Sequence, residues 1–310
     1  MKLAVDWLTI KAAKRNNPNN PITAAFNSIE KAIKLSEHEL VKPEDAEVIF
    51  VFGSITKRKQ DTDRAKRIMR WRIERKKIIA LDSAFFSTYI RNHLNSSETF
   101  MFRVGLGDCT GTGDFLNENS TNDRYNWFKK AFNFEEKEPQ ANNDAPILFI
   151  LQSEKGWQYD NKEPYYLYAR GVIDHLRRLT TRKIILRGHP NIDRHPIEWI
   201  GEGFDNIEYS SCEPDRRSLF SDLSRSGCVV THSSSSAIES YVEGIPTFSL
   251  DPRCVVYKET DYRLGKINDL LSYNWNNRKQ ILANWAYTSW HVTEMENPAW
   301  LNYYLKKLTF

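Results

Sequence analysis

GCVVTHSSSSAIESYVEGIPTFSLDP, residues 227 to 252, holds in one stretch a short apolar strand (Cys228–Thr231), four serines, a helix (Ala237–Val242) stopped at Gly244, and a second strand from Pro246 to Leu250. Strands this short and this apolar are buried in a parallel sheet, with the connecting helix packed over it. The serines then fall at the carboxyl edge of the sheet and at the amino end of the helix. Free N–H groups and the positive end of the helix dipole favour an anion there. One capping serine would be ordinary. A run of four exceeds what capping needs, and its hydroxyls are further donors, so Ser233, Ser234, Ser235 and Ser236 are read as an anion site.

Upstream of this stretch the same alternation repeats. Ile147–Leu151 is a buried strand, Tyr165–Leu179 a helix, Lys183–Leu186 a strand running into Arg187, Gly188, His189 and Pro190, Ile207–Ser210 a small strand, and Asp215–Ser224 a helix. Alternation of this kind implies parallel strands with crossover helices. A first α/β series precedes it: an opening strand in residues 1–10, a helix over Thr23–Leu35, strands at Glu47–Gly53, Lys77–Leu81 and Thr99–Val104, and an aromatic helix over 121–134. The polar segment EEKEPQANNDAP, 135–146, reads as a linker. The expected fold is α/β with two Rossmann-like domains, 1–140 and 141–310. The Trp- and Tyr-rich tail from Ile267 is expected to be mostly helical and to pack back across both.

A chain of 310 residues with 40% hydrophobic and 27% charged residues is a soluble globular protein rather than a disordered one. No apolar run approaches the roughly 20 residues that span a bilayer, and the N-terminus lacks the form of a signal peptide, so a cytoplasmic location is expected. The four cysteines show neither CxxC pairing nor metal-ligand spacing. Charge is uneven. Between Lys57 and Lys77 stand eleven Lys and Arg against three acids, a local +8 in a chain of net +4. Lys57, Arg58, Arg64, Arg67 and Arg70 are therefore candidate polyanion-binding residues.

In the second half, Arg187 supplies a forked permanent cation, and His189 can donate to a departing phosphate. Glu239, about one turn into the helix after the serines, is placed to accept ribose hydroxyls. Gln152 follows the strand at Ile147 and joins the donor-binding set. In the first half Asp82 stands at a strand end, and Asp114 closes the loop GLGDCTGTGDF, whose glycine spacing matches a phosphate loop only loosely. Both are candidate general bases. The triplet Asp61-Thr62-Asp63 lies inside the basic segment rather than at a strand end and reads as helix capping; no metal is required.

RGHP followed by VVTHSSSSAIESYVEGIPTF resembles the "HP" and "SS" motifs of GT-B glycosyltransferases, particularly capsule-polysaccharide (Kdo and sialyl) transferases and related phage-encoded, DNA-modifying enzymes. LFILQSEKGW, NDRYNWF and WAYTSWHVTEMENPAW extend the resemblance over most of the chain from Ile78 onward. It implies two domains facing a cleft, with His189 and serines of the run on the phosphate of a UDP- or CMP-linked sugar and Glu239 near the ribose. The pattern departs at Gly188, where a proline often stands, and in having four serines where two are common.

The function expected is sugar transfer from a nucleotide-sugar to an acceptor hydroxyl. With a basic first domain, the expected acceptor is a hydroxymethylated base in DNA, in the host cytoplasm if phage-encoded; an anionic surface polysaccharide is the alternative. An inactive nucleic-acid-binding protein and a sugar-nucleotide epimerase on the same fold are the other readings.

Overall fold

The computed structural model describes the chain apart from residues 11, 18, 54–61, 95–99, 116, 153–163, 190–193, 212–216, 276 and 309–310, and apart from the side chains of 12, 13, 62, 194–196 and 217. The chain divides into two units, Met1–Asn133 with Lys279–Phe310, and Phe134–Arg278. The change of unit thus falls a few residues before the expected 140, and the chain returns to its first unit near the end.

The first unit opens with β1 (Lys2–Val5), α1 (Ala12–Arg15), α2 (Pro21–Lys34), β2 (Glu39–Leu40), β3 (Val48–Phe52), α3 (Thr62–Ile73), β4 (Lys77–Ser83), α4 (Ser87–Leu94), β5 (Met101–Leu106) and α5 (Asp123–Ala131). Successive side chains of a strand point to opposite faces. Leu3, Val5, Val48 and Phe50 accordingly join the core under α2, while Ala4, Ile49 and Val51 join the core under α3. Helix α2 starts where Asn20 accepts from the N–H groups of Ile22 and Thr23 and where Pro21 needs no donor of its own. It buries Phe26, Ile29 and Ile33.

Helix α3 packs a mixed apolar and basic face on the sheet. Its buried stripe is Arg64, Ile68 and Trp71, whereas Met69 and Ile73 are 59% and 76% exposed. The Arg64 guanidinium donates to the carbonyls of Phe52 and Gly53 beyond β3, at 3.0 Å for the latter. Arg67 pairs at 3.3 Å with Asp6, a fully buried carboxylate just after β1. Strand ends leave carbonyls without ladder partners, and a buried carboxylate needs a cation. Two of the basic residues expected to face a polyanion therefore tie α3 to the sheet. Arg70 is half-exposed, beside Glu44 and Glu74. Lys57, Arg58 and Asp61 lie outside the described residues, and Asp63 stands in the first turn of α3.

The second unit runs β6 (Ile147–Ile150), α6 (Tyr165–Leu179), β7 (Ile184–Arg187), α7 (Arg194–Gly201), β8 (Ile207–Tyr209), α8 (Arg217–Ser224), β9 (Cys228–Thr231), α9 (Ser236–Val242) and β10 (Thr247–Ser249). Its sheet has the order β10-β9-β6-β7-β8, and every pair is parallel. The chain builds outward from β6 through β7 to β8, then returns to add β9 on the other side of β6. That makes the β6/β9 junction a topological switch point. The segment expected as a free linker is packed on this unit. Lys137 and Gln140 donate backbone N–H groups to Val242 and Gly244, and Arg278 pairs with Glu136 at 2.9 Å.

The remaining elements, α10 (Arg278–Thr288), β11 (Ser289–His291), α11 (Val292–Met295) and α12 (Pro298–Leu308), complete the first unit. Its sheet has the order β11-β5-β4-β3-β1-β2, with β5 antiparallel to β4 and β11 antiparallel to β5. The tail thus contributes to both units: Ile267 and Leu270 are buried in the second unit's core, and from Lys279 onward the chain belongs to the first, where Trp300, Leu301, Tyr304 and Leu305 are buried.

The glycine-rich loop after β5 folds back on that strand. Leu106 and Asp114 exchange backbone hydrogen bonds at 2.7 and 3.1 Å, and the carbonyl oxygen of Asp108 fills the space beside Gly105 and Gly113. A Cβ at Gly113 would lie 2.2 Å from that oxygen. The neighbour is backbone, so relief requires the loop to move. Gly113→Ala is expected to lower stability by about 1–3 kcal/mol in urea unfolding, as overpacking does; an unchanged midpoint would mean the loop is not packed this way.

Candidate functional site

The carboxyl edge of the second sheet gathers the groups that follow β6, β7, β9 and β10. At β9 the chain leaves the sheet through His232 and the four serines before α9. Gln152, two residues past β6, is buried; its Oε1 accepts from the N–H of Ser233 at 3.3 Å and lies 3.4 Å from the Ser233 hydroxyl oxygen. Thr231 Oγ1 donates to the Ile150 carbonyl and accepts from the N–H of Ser234. Ser234 Oγ in turn accepts from the N–H of Ser236. The serine run therefore splits in function. Ser233 and Ser234 hold the turn together, while Ser235 is exposed and Ser236 half-buried. Among the described residues no hydrogen bond engages the N–H of Ser235 or the hydroxyls of Ser235 and Ser236. These donors are the ones the turn leaves for an anion.

His232, to which the sequence reading gave no role, is the hub of this turn. It is 2% exposed and packs edge-on against Tyr168 at 5.2 Å. Its Nδ1 lies 2.9 Å from Ser233 Oγ, and its Nε2 lies 3.3 Å from Asp251 beyond β10. Burial holds its pKa down to about 4, against the opposing charge of Asp251. Asp251 is itself gripped by Arg253 at 2.7 and 2.8 Å; burial works to raise its pKa, and the Arg253 hydrogen bonds and the neighbouring charges bring it below the ordinary value. With Asp251 ionised, the neutral imidazole carries its proton on Nε2 and accepts from Ser233 at Nδ1. The signal in the sequence was a histidine placed directly after a buried strand. Its burial follows from β10, which sets Asp251 beside it and is invisible to local pattern.

The other expected donor groups are distributed differently. His189 is half-buried, two residues beyond β7, at the same edge as the serines. Since β6 lies between β7 and β9, the two strand ends are about 10 Å apart. Arg187 is 4% exposed, and its guanidinium is committed to Asp222 at 2.7 Å and to the hydroxyls of Ser210 and Ser218, both at 3.0 Å. This arginine locks β7 to α8 in a buried ion pair, so the expectation that it faces a donor phosphate is corrected. Glu239, in the first turn of α9, is 2% exposed.

In the first unit Asp82 lies opposite Arg103 in the β4–β5 pairing, with a 3.1 Å ion pair, and Asp114 lies opposite Leu106. Three residues of strand, about 10 Å, separate the two levels. Asp82 is the one near the carboxyl ends of the parallel strands. Among the described residues no group of three or more His, Cys, Asp or Glu is arranged to hold a metal ion, and no helix is long and apolar enough to cross a membrane.

Two α/β units, the second wholly parallel with its switch point at β6/β9, have the fold of the GT-B class. The β-Kdo 2,7-transferase of Thermosulfurimonas dismutans KpsC is similar over 91% of this chain and 89% of its own, with a TM-score of 0.53 and 11% identity. Weaker likenesses run to the β-Kdo 2,4-transferase of the same organism's KpsC (TM-score 0.46, 12% identity, 87% and 89% covered) and to the UDP-GlcNAc 2-epimerase of Neisseria meningitidis (TM-score 0.34, 12% identity, 94% and 83% covered). No protein-family model matches the chain, and no curated protein matches it.

The buried neutral His232 makes stability depend on pH. In the unfolded chain it takes up a proton near pH 6.5, in the folded one near 4, so the unfolded state binds more protons in that window and stability falls as pH drops from 6.5 toward 4, by up to about 3 kcal/mol. Half-buried Glu259, whose pKa desolvation raises to about 7, pulls in the opposite direction over part of the window. Comparing urea unfolding of wild type and His232→Gln from pH 7 to 4 isolates the histidine: the variant's stability should fall less steeply, and parallel curves would contradict the assignment.

Proposed function

We propose that the protein is a glycosyltransferase that moves a sugar from a nucleotide-sugar donor, UDP- or CMP-linked, to a hydroxyl of a glycan. The observation that carries this reading is the convergence of His189, Ser235 and Ser236 on one edge of a parallel sheet at its switch point, with donors left over for phosphate. The acceptor oxygen forms the new bond to the anomeric carbon as the bond from that carbon to the phosphate oxygen breaks. The hydroxyls of Ser235 and Ser236 and the imidazole of His189 stabilise the charge on the departing phosphate. The acceptor's proton goes to a general base.

The likeness in fold to a β-Kdo 2,7-transferase favours a sugar-transfer reaction. A DNA acceptor was expected from the basic segment. With Arg64 on backbone carbonyls and Arg67 on Asp6, that segment offers a polyanion fewer cations than its composition suggests, which favours a glycan over DNA.

The test is release of nucleotide from a panel of UDP- and CMP-sugars, with oligosaccharides or hydroxymethylated DNA as acceptors. Acceptor-dependent release with oligosaccharide is expected, and His189→Ala should lower kcat by about 100-fold. Release that needs no acceptor would identify an epimerase or hydrolase. Transfer to DNA alone would reverse the choice of acceptor, and an unchanged His189→Ala would misplace the donor site.

A further inference from the structure

The first unit contains a cavity of about 800 Å³ that the donor chemistry does not use. It is formed where α4, α5, the start of β5 and the segment from β11 into α11 meet. Met101 pairs with His291 and Phe102 with Ser83, so the start of β5 lies at the sheet edge that carries Asp82. One wall is aromatic, with Phe100, Phe132 and the half-exposed indole of Trp127. The other is polar, with Asp123, His291 and Glu294.

Each polar group is held in a defined state. The phenol of Tyr287 donates to both oxygens of Asp123 at 2.8 and 2.9 Å. The hydroxyl of Thr121 donates as well, and these hydrogen bonds lower the carboxyl's pKa and keep it ionised. Glu294 takes two hydrogen bonds from Arg124, both at 2.8 Å; burial works to raise its pKa, and Arg124 together with the N–H of His291 brings it below the ordinary value. Burial lowers the pKa of His291, Glu294 opposing, so the imidazole is neutral. Its Nδ1 accepts from the N–H of Thr293 at 3.3 Å, which puts the ring proton on Nε2. Among the described residues no hydrogen bond engages that Nε2–H. The cavity thus offers one oriented donor, two oriented carboxylates and an aromatic face. With two carboxylates against the single guanidinium of Arg124, it carries a net negative charge.

The geometry points to a binding site for a neutral saccharide, its apolar C–H face on Trp127 and its hydroxyls donating to Asp123 and accepting from His291. An anionic ligand is disfavoured by the net charge, and a purely apolar one would strip water from Asp123 without replacing it. The assignment of this saccharide as the acceptor rests on the transfer reading above; the binding itself does not.

Calorimetric titration with methyl glycosides of neutral hexoses and with methyl glucuronide tests the site. Saturable binding of a neutral glycoside is expected, at least tenfold tighter than methyl glucuronide, with Trp127→Ala weakening it about tenfold or more. Asp123→Asn, which keeps an acceptor for Tyr287 and removes the charge, should narrow the discrimination against glucuronide, and it serves if Trp127→Ala fails to fold. Absence of saturable binding, equal or tighter binding of glucuronide, or unchanged affinity in the folded variants would overturn the site. Acceptor-dependent nucleotide release measured on the unmutated protein separates the two claims: such release without binding of the neutral glycosides leaves transfer standing and removes this site, and binding without release does the reverse.

Discussion

Strand β9 pairs with β6 rather than with β8, the strand before it in the chain, and the second unit's site depends on that choice. The pairing sets Thr231 beside Ile150 and lets its hydroxyl reach the carbonyl there. It also brings Gln152 under Ser233, so that the end of β6 fixes the first turn after β9. Strand β10 follows β9 on its far side and delivers Asp251 to His232. Were β9 to pair beside β8, its turn would lose Ile150 and Gln152, and the serines would lie at an outer strand rather than at the point where the strand order reverses. The leftover donors of Ser235 and Ser236 exist because neighbouring groups satisfy the rest of the turn.

The fold was legible wherever one residue pattern had one structural outcome. β9 and α6 have the bounds read from their apolar periodicity, and β6, β7 and α8 differ by a residue or two. The parallel second sheet followed from strict alternation of strand and helix. What was not legible depended on long-range pairing. Ser289–His291 carries no strand signal of its own and is a strand because β5 presents an edge to it. The antiparallel course of β5 likewise follows from the chain passing through α4 and back, which composition does not reveal. In α3, packing against the sheet buries Ile68 and Trp71 with Arg64 and leaves Met69 and Ile73 exposed, a choice that composition does not make.

At the candidate site, residue type places several groups at the strand ends, and long-range packing commits some of them to the protein. Arg187 and Gln152 stand at the expected strand ends, but each is committed to the protein, the arginine to Asp222 and the glutamine to Ser233. A permanent cation beside a buried carboxylate is held there by the cost of leaving that carboxylate alone, about 3–5 kcal/mol. The sequence cannot show this, since Asp222 lies 35 residues away. The same physics accounts for Arg67 and Asp6. The basic segment looks like a polyanion surface in one dimension and is partly an internal brace in three.

The central claim is that the turn after β9 binds the phosphate of a nucleotide. The most direct measurement is the melting temperature of wild type and of Ser235→Asp with UDP, CMP and their sugar conjugates, because a ligand that binds only the folded state raises it. The account predicts a selective rise for one nucleotide in wild type and its loss in Ser235→Asp, where a carboxylate would oppose the phosphate. A rise of equal size in both proteins, or none with any nucleotide, would contradict it.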